Sequence, residues 1–193
     1  MRRGLILDRD GVINHDCGYL HRIEDCRFVD GIFTLTQMFA EAKFAIVIAT
    51  NQSGIGRGLY GEEDFDRLMG WMQDQFAGHG VALAGIYHCP YHPTEGVGIY
   101  RRDSECRKPR PGMLVRAAAD LGLDLAASWC IGDKMNDIEA GRAAGVGTLV
   151  RLDPASPDVR RAGDHWVVPN LLSVAELWRG AGPSAPGRRS ADD

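Results

Sequence analysis

Short apolar runs alternate with stretches of helical spacing along most of the chain. "GLIL" (4–7) reads as a buried strand that runs into acids, and "FAIVIAT" (44–50) as a second, β-branched one. "VALAGIY" (81–87), "SWCIGD" (128–133), "GTLV" (147–150) and "HWVV" (165–168) supply four more. Between them lie helical patterns over 31–43, 62–77, 111–122, 135–145 and 170–178. In the second of these, Phe65, Leu68, Met69, Met72 and Phe76 share one face and read as core packing. The third opens with Pro111 and closes at Gly122, a proline-start and glycine-stop pair. Strand and helix in alternation predict an α/β, Rossmann-like fold: a mainly parallel sheet with helices on both faces. A single domain is expected over 1–179. The Gly/Pro/Ser-rich end, 180–193, has no core residues and reads as a flexible tail.

Composition narrows the function classes. At 193 residues and 45% hydrophobic, the chain can bury a sizeable core as one domain. A net charge of −4 gives no electrostatic footprint for nucleic acid or an anionic membrane, so neither partner is expected. No apolar run approaches the roughly 20 residues that span a bilayer, and the start is too short for a signal peptide. The five cysteines, at 17, 26, 89, 106 and 130, are odd in number and scattered. A disulfide framework is not expected, and the cytoplasm is the compartment they favour. A monomer is expected.

The candidate chemistry lies where the apolar runs stop. In parallel sheets, ligands sit at the carboxyl ends of the strands. Asp8-Arg9-Asp10 follows the first run, Thr50-Asn51-Gln52-Ser53 the second, and Asp133-Lys134 the fourth, with Arg107-Lys108 closing a long loop. Taken singly, a D-x-D is a turn, a Thr is a cap and a Lys-Pro is nothing. Together, three carboxylates, a hydroxyl and a lysine meet at one sheet edge. Several acids repel one another unless a cation neutralises them, and an all-oxygen set favours Mg²⁺. A carboxylate beside Mg²⁺ can attack phosphorus, and a second acid two residues on can protonate the leaving oxygen and then activate water.

"LDRDGVIN", "IATNQSGIGRG", "CRKPRPGM" and "IGDKMNDIEAGRAAG" resemble the four motifs of the haloacid dehalogenase-like (HAD) phosphatases. With "DCGYLHRIEDCRF", the finer resemblance is to the D-glycero-D-manno-heptose 1,7-bisphosphate 7-phosphatase group and its histidinol-phosphatase relatives. It covers about residues 4–150. The resemblance implies a Mg²⁺-dependent hydrolase of bacterial heptose biosynthesis that removes the 7-phosphate of a small sugar bisphosphate. The alternatives are a histidinol-phosphate or other phosphate-ester phosphatase, or a non-catalytic phosphosugar binder. It further implies Asp8 as nucleophile, Asp10 as general acid/base, and Thr50 and Lys108 as stabilisers of the phosphoryl group. The metal would be held by Asp8, the Asp10 backbone carbonyl and Asp133. Asp16, Gly18, Tyr19, Asn51, Gln52, Ser53, Arg107 and Lys134 would meet substrate, with Cys17 beside them. Asp137 would orient Lys108 or Lys134. Only 39 residues separate Asp10 from Thr50, too few for a cap domain, so an open site walled by 14–28 and 88–108 is expected.

In the resembled group the loop before Arg107 carries Cys-x-His and Cys-x-Cys around a structural zinc. Here Cys89 and Cys106 remain, but Tyr91 and Ser104 occupy the other two positions. Ser and Tyr are poor zinc ligands. Cys89, His92 and Cys106 are a residual zinc site at most, with His88 the other nearby histidine. Mg²⁺ alone is the expected cofactor, and the loop would be held by packing through Tyr91 and Tyr100.

Overall fold

The computed structural model describes residues 1–181. From residue 182 on, the expected tail lies outside the described residues. Seven strands form one sheet in the order β3-β2-β1-β4-β5-β7-β6. They are β1 (Gly4–Leu7), β2 (Ala45–Asn51), β3 (Leu83–Cys89), β4 (Trp129–Gly132), β5 (Thr148–Leu152), β6 (Arg160–Ala162) and β7 (His165–Val168). Every neighbouring pair is parallel except β6 with β7. The helices are α1 (Ile32–Glu41), α2 (Ser53–Gly56), α3 (Glu62–Gly78), α4 (Gly112–Leu121), α5 (Met135–Ala143) and α6 (Leu171–Ala181).

The central strands β1, β2 and β4 are buried on both faces, which is why they read as continuous apolar runs. Leu5, Leu7, Ile46 and Ile48 point into one core with Phe39 of α1, Phe76 of α3 and Val174 of α6. Ile6, Val47 and Ala49 point into the other, with Met113 and Leu114 of α4 and Ile138 of α5. The stripe from Phe65 to Phe76 is buried in the first core, as its spacing predicts. Two elements escaped the pattern. The four-residue α2 is too short to show a period. Strand β6, "RRA", is a charged sheet edge, a composition that discourages further pairing. No cap domain interrupts the described chain; between β1 and β2 there are only a short 3₁₀ turn and α1.

The loop from β3 to α4 departs from expectation. Cys89 and Cys106 are joined in a disulfide, with their Cα atoms 5.5 Å apart. The cysteine count did not suggest it, but the fold supplies the reason. Cys89 ends β3 opposite Asn51 of β2. The Asn51 side chain then grips the backbone of Lys108 at both ends, 3.1 Å to its N–H and 3.1 Å to its carbonyl. Both ends of the loop are thus pinned beside the same residue. With the two sulfurs bonded to each other, Cys89, His92 and Cys106 do not converge as a ligand set. His92 Nδ1 instead accepts the Glu95 N–H at 3.1 Å, His88 faces Glu62 at 2.9 Å, and His79 stacks on Phe33. Tyr91 packs near Tyr100 and under the Arg102 guanidinium. Cys17, Cys26 and Cys130 are free thiols.

Closing a loop of this length should stabilise the fold by about 3 kcal/mol through chain entropy. Urea unfolding with and without dithiothreitol, and of Cys106→Ser, should show midpoints lowered accordingly. Identical midpoints for oxidised and reduced protein would mean that the two thiols do not pair in solution.

Candidate active site

Asp8 is the first residue past β1, and its N–H donates to the Ile131 carbonyl of β4 at 3.0 Å, which holds it at the sheet's carboxyl edge. Asp133 directly follows β4, and Thr50 and Asn51 end β2. Between these strand ends sits the Lys108 ammonium, only 4% exposed. Its Nζ lies 2.8 Å from Asp8 Oδ1, 2.5 Å from Asp137 Oδ1 and 2.7 Å from the Ala49 carbonyl. Burial opposes the charge on Lys108, but the Asp8 and Asp137 carboxylates outweigh it and hold its pKa above the ordinary lysine value. Burial pushes the Asp8 carboxyl up, with Lys108 pulling the other way. Of the two lysines the resemblance offered as partners of Asp137, it is the Lys108 ammonium that pairs with it; Lys134 meets it only through the backbone. One oxygen pairs with Lys108 and the other accepts the Lys134 N–H at 3.0 Å.

Carboxylate oxygens of Asp8, Asp133 and Asp137 all lie within 4.8 Å of one another. Asp133 Oδ1 is buried and has no hydrogen-bond partner. Burial first, then the charge of Asp8, raises the Asp133 carboxyl to about 6. A buried carboxylate oxygen without a partner, set among other carboxylates, suits a cation, and the hard oxygen donors fit Mg²⁺. The β1 loop is built against this group: a Cβ at Gly11, whose φ is +87°, would meet Asp133 Oδ2 at 2.4 Å.

Asp10 lies apart from that knot, on the cleft side. Arg9, 1% exposed, reaches its Oδ2 at 2.8 Å, Asn14 Nδ2 its Oδ1 at 2.9 Å, and Gln52 Nε2 its Oδ2 at 3.1 Å. Above the acids opens a cleft of about 360 Å³. Its lining includes Asp8, Asp10, Thr50 and Lys108, together with Asp16, Gly18, Tyr19, Asn51, Gln52, Ser53, Arg107 and Lys134. These are all twelve of the catalytic and substrate candidates. Cys17 instead faces a neighbouring surface hollow. Lys134 Nζ pairs with Asp16 at 3.1 Å, joining the first wall to α5, and Arg107 Nη1 donates to the Tyr91 carbonyl at 3.1 Å. Arg9, Asn14 and Tyr60 were not singled out from sequence. An arginine between two acids reads as a spacer, and nothing in "DRD" says that it turns inward. Tyr60 lines the cleft from just beyond the second motif, and Asn136 from within the fourth, where it was passed over between Lys134 and Asp137.

A sequence model described as HAD-hydrolase-like matches residues 105–174. The chain is 47% identical over 184 residues to a D-glycero-alpha-D-manno-heptose-1,7-bisphosphate 7-phosphatase of Burkholderia mallei, covering 95% of this chain and 97% of that one. It is 44% identical over 175 residues to the D-glycero-beta-D-manno-heptose-1,7-bisphosphate 7-phosphatase of Escherichia coli K12, covering 89% and 91%. Among solved structures, the D,D-heptose 1,7-bisphosphate phosphatase of B. bronchiseptica, complexed with magnesium and phosphate, superposes with a TM-score of 0.78 at 27% identity, over 93% of this chain and 99% of that one. The strand-end acids, the buried lysine and this similarity over nearly the whole chain agree: the protein belongs to the heptose-1,7-bisphosphate 7-phosphatase family of HAD-like phosphatases.

Proposed function

We propose that the protein removes the 7-phosphate of a D-glycero-D-manno-heptose 1,7-bisphosphate, with Mg²⁺, through a phosphoaspartate on Asp8, in the cytoplasm. The observation that carries this reading is the Asp8 carboxylate. One oxygen is held by Lys108, and the group stands at the floor of a cleft open to a small phosphate ester. Names among the relatives support a heptose bisphosphate in particular.

In the first step an Asp8 oxygen attacks phosphorus, the bond from phosphorus to the sugar oxygen breaks, and Asp10 gives that oxygen a proton. In the second, Asp10 takes a proton from water as the water oxygen attacks the acyl phosphate, and inorganic phosphate and free Asp8 result. Lys108 and the Thr50 hydroxyl hold the non-bridging oxygens while charge spreads over them. Asp8, Asp133 and the Asp10 backbone carbonyl would hold Mg²⁺, which supplies charge neutralisation between carboxylate and phosphoryl group. Asp16, Gly18, Tyr19, Ser53 and Lys134 form the substrate walls, with Asn51 and Gln52 behind them. Arg107 offers a planar fork to the second phosphate or the sugar hydroxyls.

Phosphate release should be measured on both anomers of the heptose bisphosphate, on histidinol phosphate and on an aryl phosphate, with Mg²⁺ and with EDTA. One heptose anomer should be the best substrate, and EDTA should abolish turnover. Preference for histidinol phosphate would overturn the substrate assignment. Asp8→Asn should remove turnover and leave the fold intact; a variant retaining a tenth of the wild-type kcat would rule out the covalent route. Arg107→Ala should lower kcat/KM for the bisphosphate by about one to three decades, or roughly 1.4–4 kcal/mol, and spare the aryl phosphate. Equal losses on both would place Arg107 in the transfer step instead.

The metal site also has a stability signature. A carboxyl raised to about 6 from 3.8 favours the folded state when protonated. That contribution is fully present below pH 3.8 and is lost as pH rises through about 6. At pH 7.5 the metal-free site therefore destabilises the protein. Asp133→Asn should raise the metal-free melting temperature at that pH by about 2–8 °C, for roughly 1–2 kcal/mol after solvent screening. It should also erase the thermal shift that Mg²⁺ gives the wild type. A fall in melting temperature, or an intact Mg²⁺ shift, would count against Asp133 as a ligand.

A further inference from the structure

Gln52 does not have the surroundings of a group that meets substrate. It is 2% exposed, and both ends of its amide are occupied. Nε2 donates to Thr50 Oγ1 at 2.9 Å and to Asp10 Oδ2 at 3.1 Å, while Oε1 accepts the Tyr60 hydroxyl at 2.5 Å. One amide thus links the hydroxyl that faces the phosphoryl group with the acid that protonates the leaving oxygen. An amide can turn over and exchange its two ends, and which end faces the acid is decided by its partners. On this structure the Asp10 carboxylate, which can only accept, sets the NH₂ end, and the Tyr60 hydroxyl holds the other end by donating to Oε1.

We propose that Tyr60 is a positioning residue for phosphoryl transfer, acting through Gln52 to hold the Thr50 hydroxyl and the Asp10 carboxylate in their working orientations. The inference rests on the phosphoaspartate reading above. Tyr60 is 8% exposed, and burial pushes its phenol up to about 12, with the Arg9 guanidinium opposing. It is protonated at neutral pH, so its hydrogen is available to Gln52 Oε1. That donation matches the orientation Asp10 requires, with the Gln52 NH₂ turned to Thr50 and Asp10. Because Thr50 Oγ1 accepts from Gln52, its own hydrogen is left for the cleft. Were the amide reversed, its oxygen would face the Asp10 carboxylate, acceptor against acceptor, and the Thr50 hydrogen would be drawn away from the phosphoryl group.

The surroundings fix the phenol as firmly as the phenol fixes the amide. His21 stacks on the Tyr60 ring at 5.1 Å with planes 6° apart. The chain approaches so closely that a Cβ on Gly54 would meet Tyr60 Cε1 at 2.2 Å. The first wall is fastened to the same cluster, since Arg9 Nη2, which holds Asp10, also donates to the Leu20 carbonyl at 3.0 Å. Tyr60 therefore joins the 14–28 wall to the reacting groups and need not touch the substrate.

The test is a double-mutant cycle with Tyr60→Phe and Gln52→Leu, assayed on the heptose bisphosphate and on an aryl phosphate. Tyr60→Phe should lower kcat by roughly 10–100-fold on both substrates, with KM changed by less than about threefold. In the Gln52→Leu background it should cost nothing further, because the residue through which it acts is gone. Gln52→Glu keeps an acceptor for Tyr60 but removes the donors to Thr50 and Asp10, and should lose kcat to the same extent. A Tyr60→Phe kcat within twofold of wild type would overturn the proposal, as would additive losses in the cycle or a Gln52→Glu enzyme of normal kcat. If Tyr60→Phe folds poorly, Gln52→Leu alone decides: it should lower kcat on both substrates with KM little changed, and a normal kcat would overturn the proposal. A wild type that hydrolyses the aryl phosphate but no heptose bisphosphate would defeat the substrate assignment and leave the cycle valid on the aryl phosphate.

Discussion

One buried ion cluster organises this molecule: the Lys108 ammonium between Asp8 and Asp137. A lysine almost wholly withdrawn from water is tenable only if its charge is matched and its hydrogens are used, and here two carboxylates and the Ala49 carbonyl do both. The match is not one to one. With Asp133 included, three acids gather round one buried lysine, and the next cation, the exposed Lys134 ammonium 3.7 Å from Asp133, is shared with Asp16. That imbalance makes the site receptive to a divalent cation and, once one is bound, to an anionic phosphate. Affinity for ligand and internal strain here have the same electrostatic source.

Much of this was legible in the chain, for physical reasons that can be named. A strand buried on both faces must be apolar along its whole length, so its end is marked by the first polar residue. In a parallel sheet those ends gather at one edge. Asp8, Thr50 and Asp133 could therefore be placed together without coordinates. Lys108 is different. It lies at the end of a loop rather than of a strand, and is grouped with the strand ends as the residue that closes that loop. Arg9, Asn14 and Tyr60 were illegible because their role depends on a side-chain direction that periodicity does not record. The disulfide was illegible for a related reason. Seventeen residues of sequence separation say nothing of closure until Asn51 is seen to hold both ends of the loop.

The two walls of the cleft have different supports. The 88–108 wall is closed by a covalent bond and clamped through Asn51, so its last residues, Arg107 and Lys108, are carried on a braced segment. The 14–28 wall has no covalent closure: Leu20 and Cys26 are buried in the core, Phe28 packs on Phe33 and Trp71, the Leu20 carbonyl meets Arg9, Asp16 meets Lys134, and His21 stacks on Tyr60. Disturbing the first would displace groups that bind charge. Disturbing the second would reach Asp10 through Arg9 and Gln52.

The sheet order has a consequence for biosynthesis. Strand β1 is made first and ends at the centre, with β2 on one side and β4 on the other. Its second edge stays unpaired until Trp129–Gly132 has left the ribosome, and contacts of this separation form late. Through most of its synthesis the chain thus carries an apolar strand with one open edge, the kind of surface that seeks other strands. The ion cluster closes on the same schedule, since Asp137 is made later still. A nascent chain is therefore most prone to aggregation while it is still chemically inert: β4 covers the centre strand, α5 completes the cluster, and the open edge has by then moved out to β4, where β5 follows.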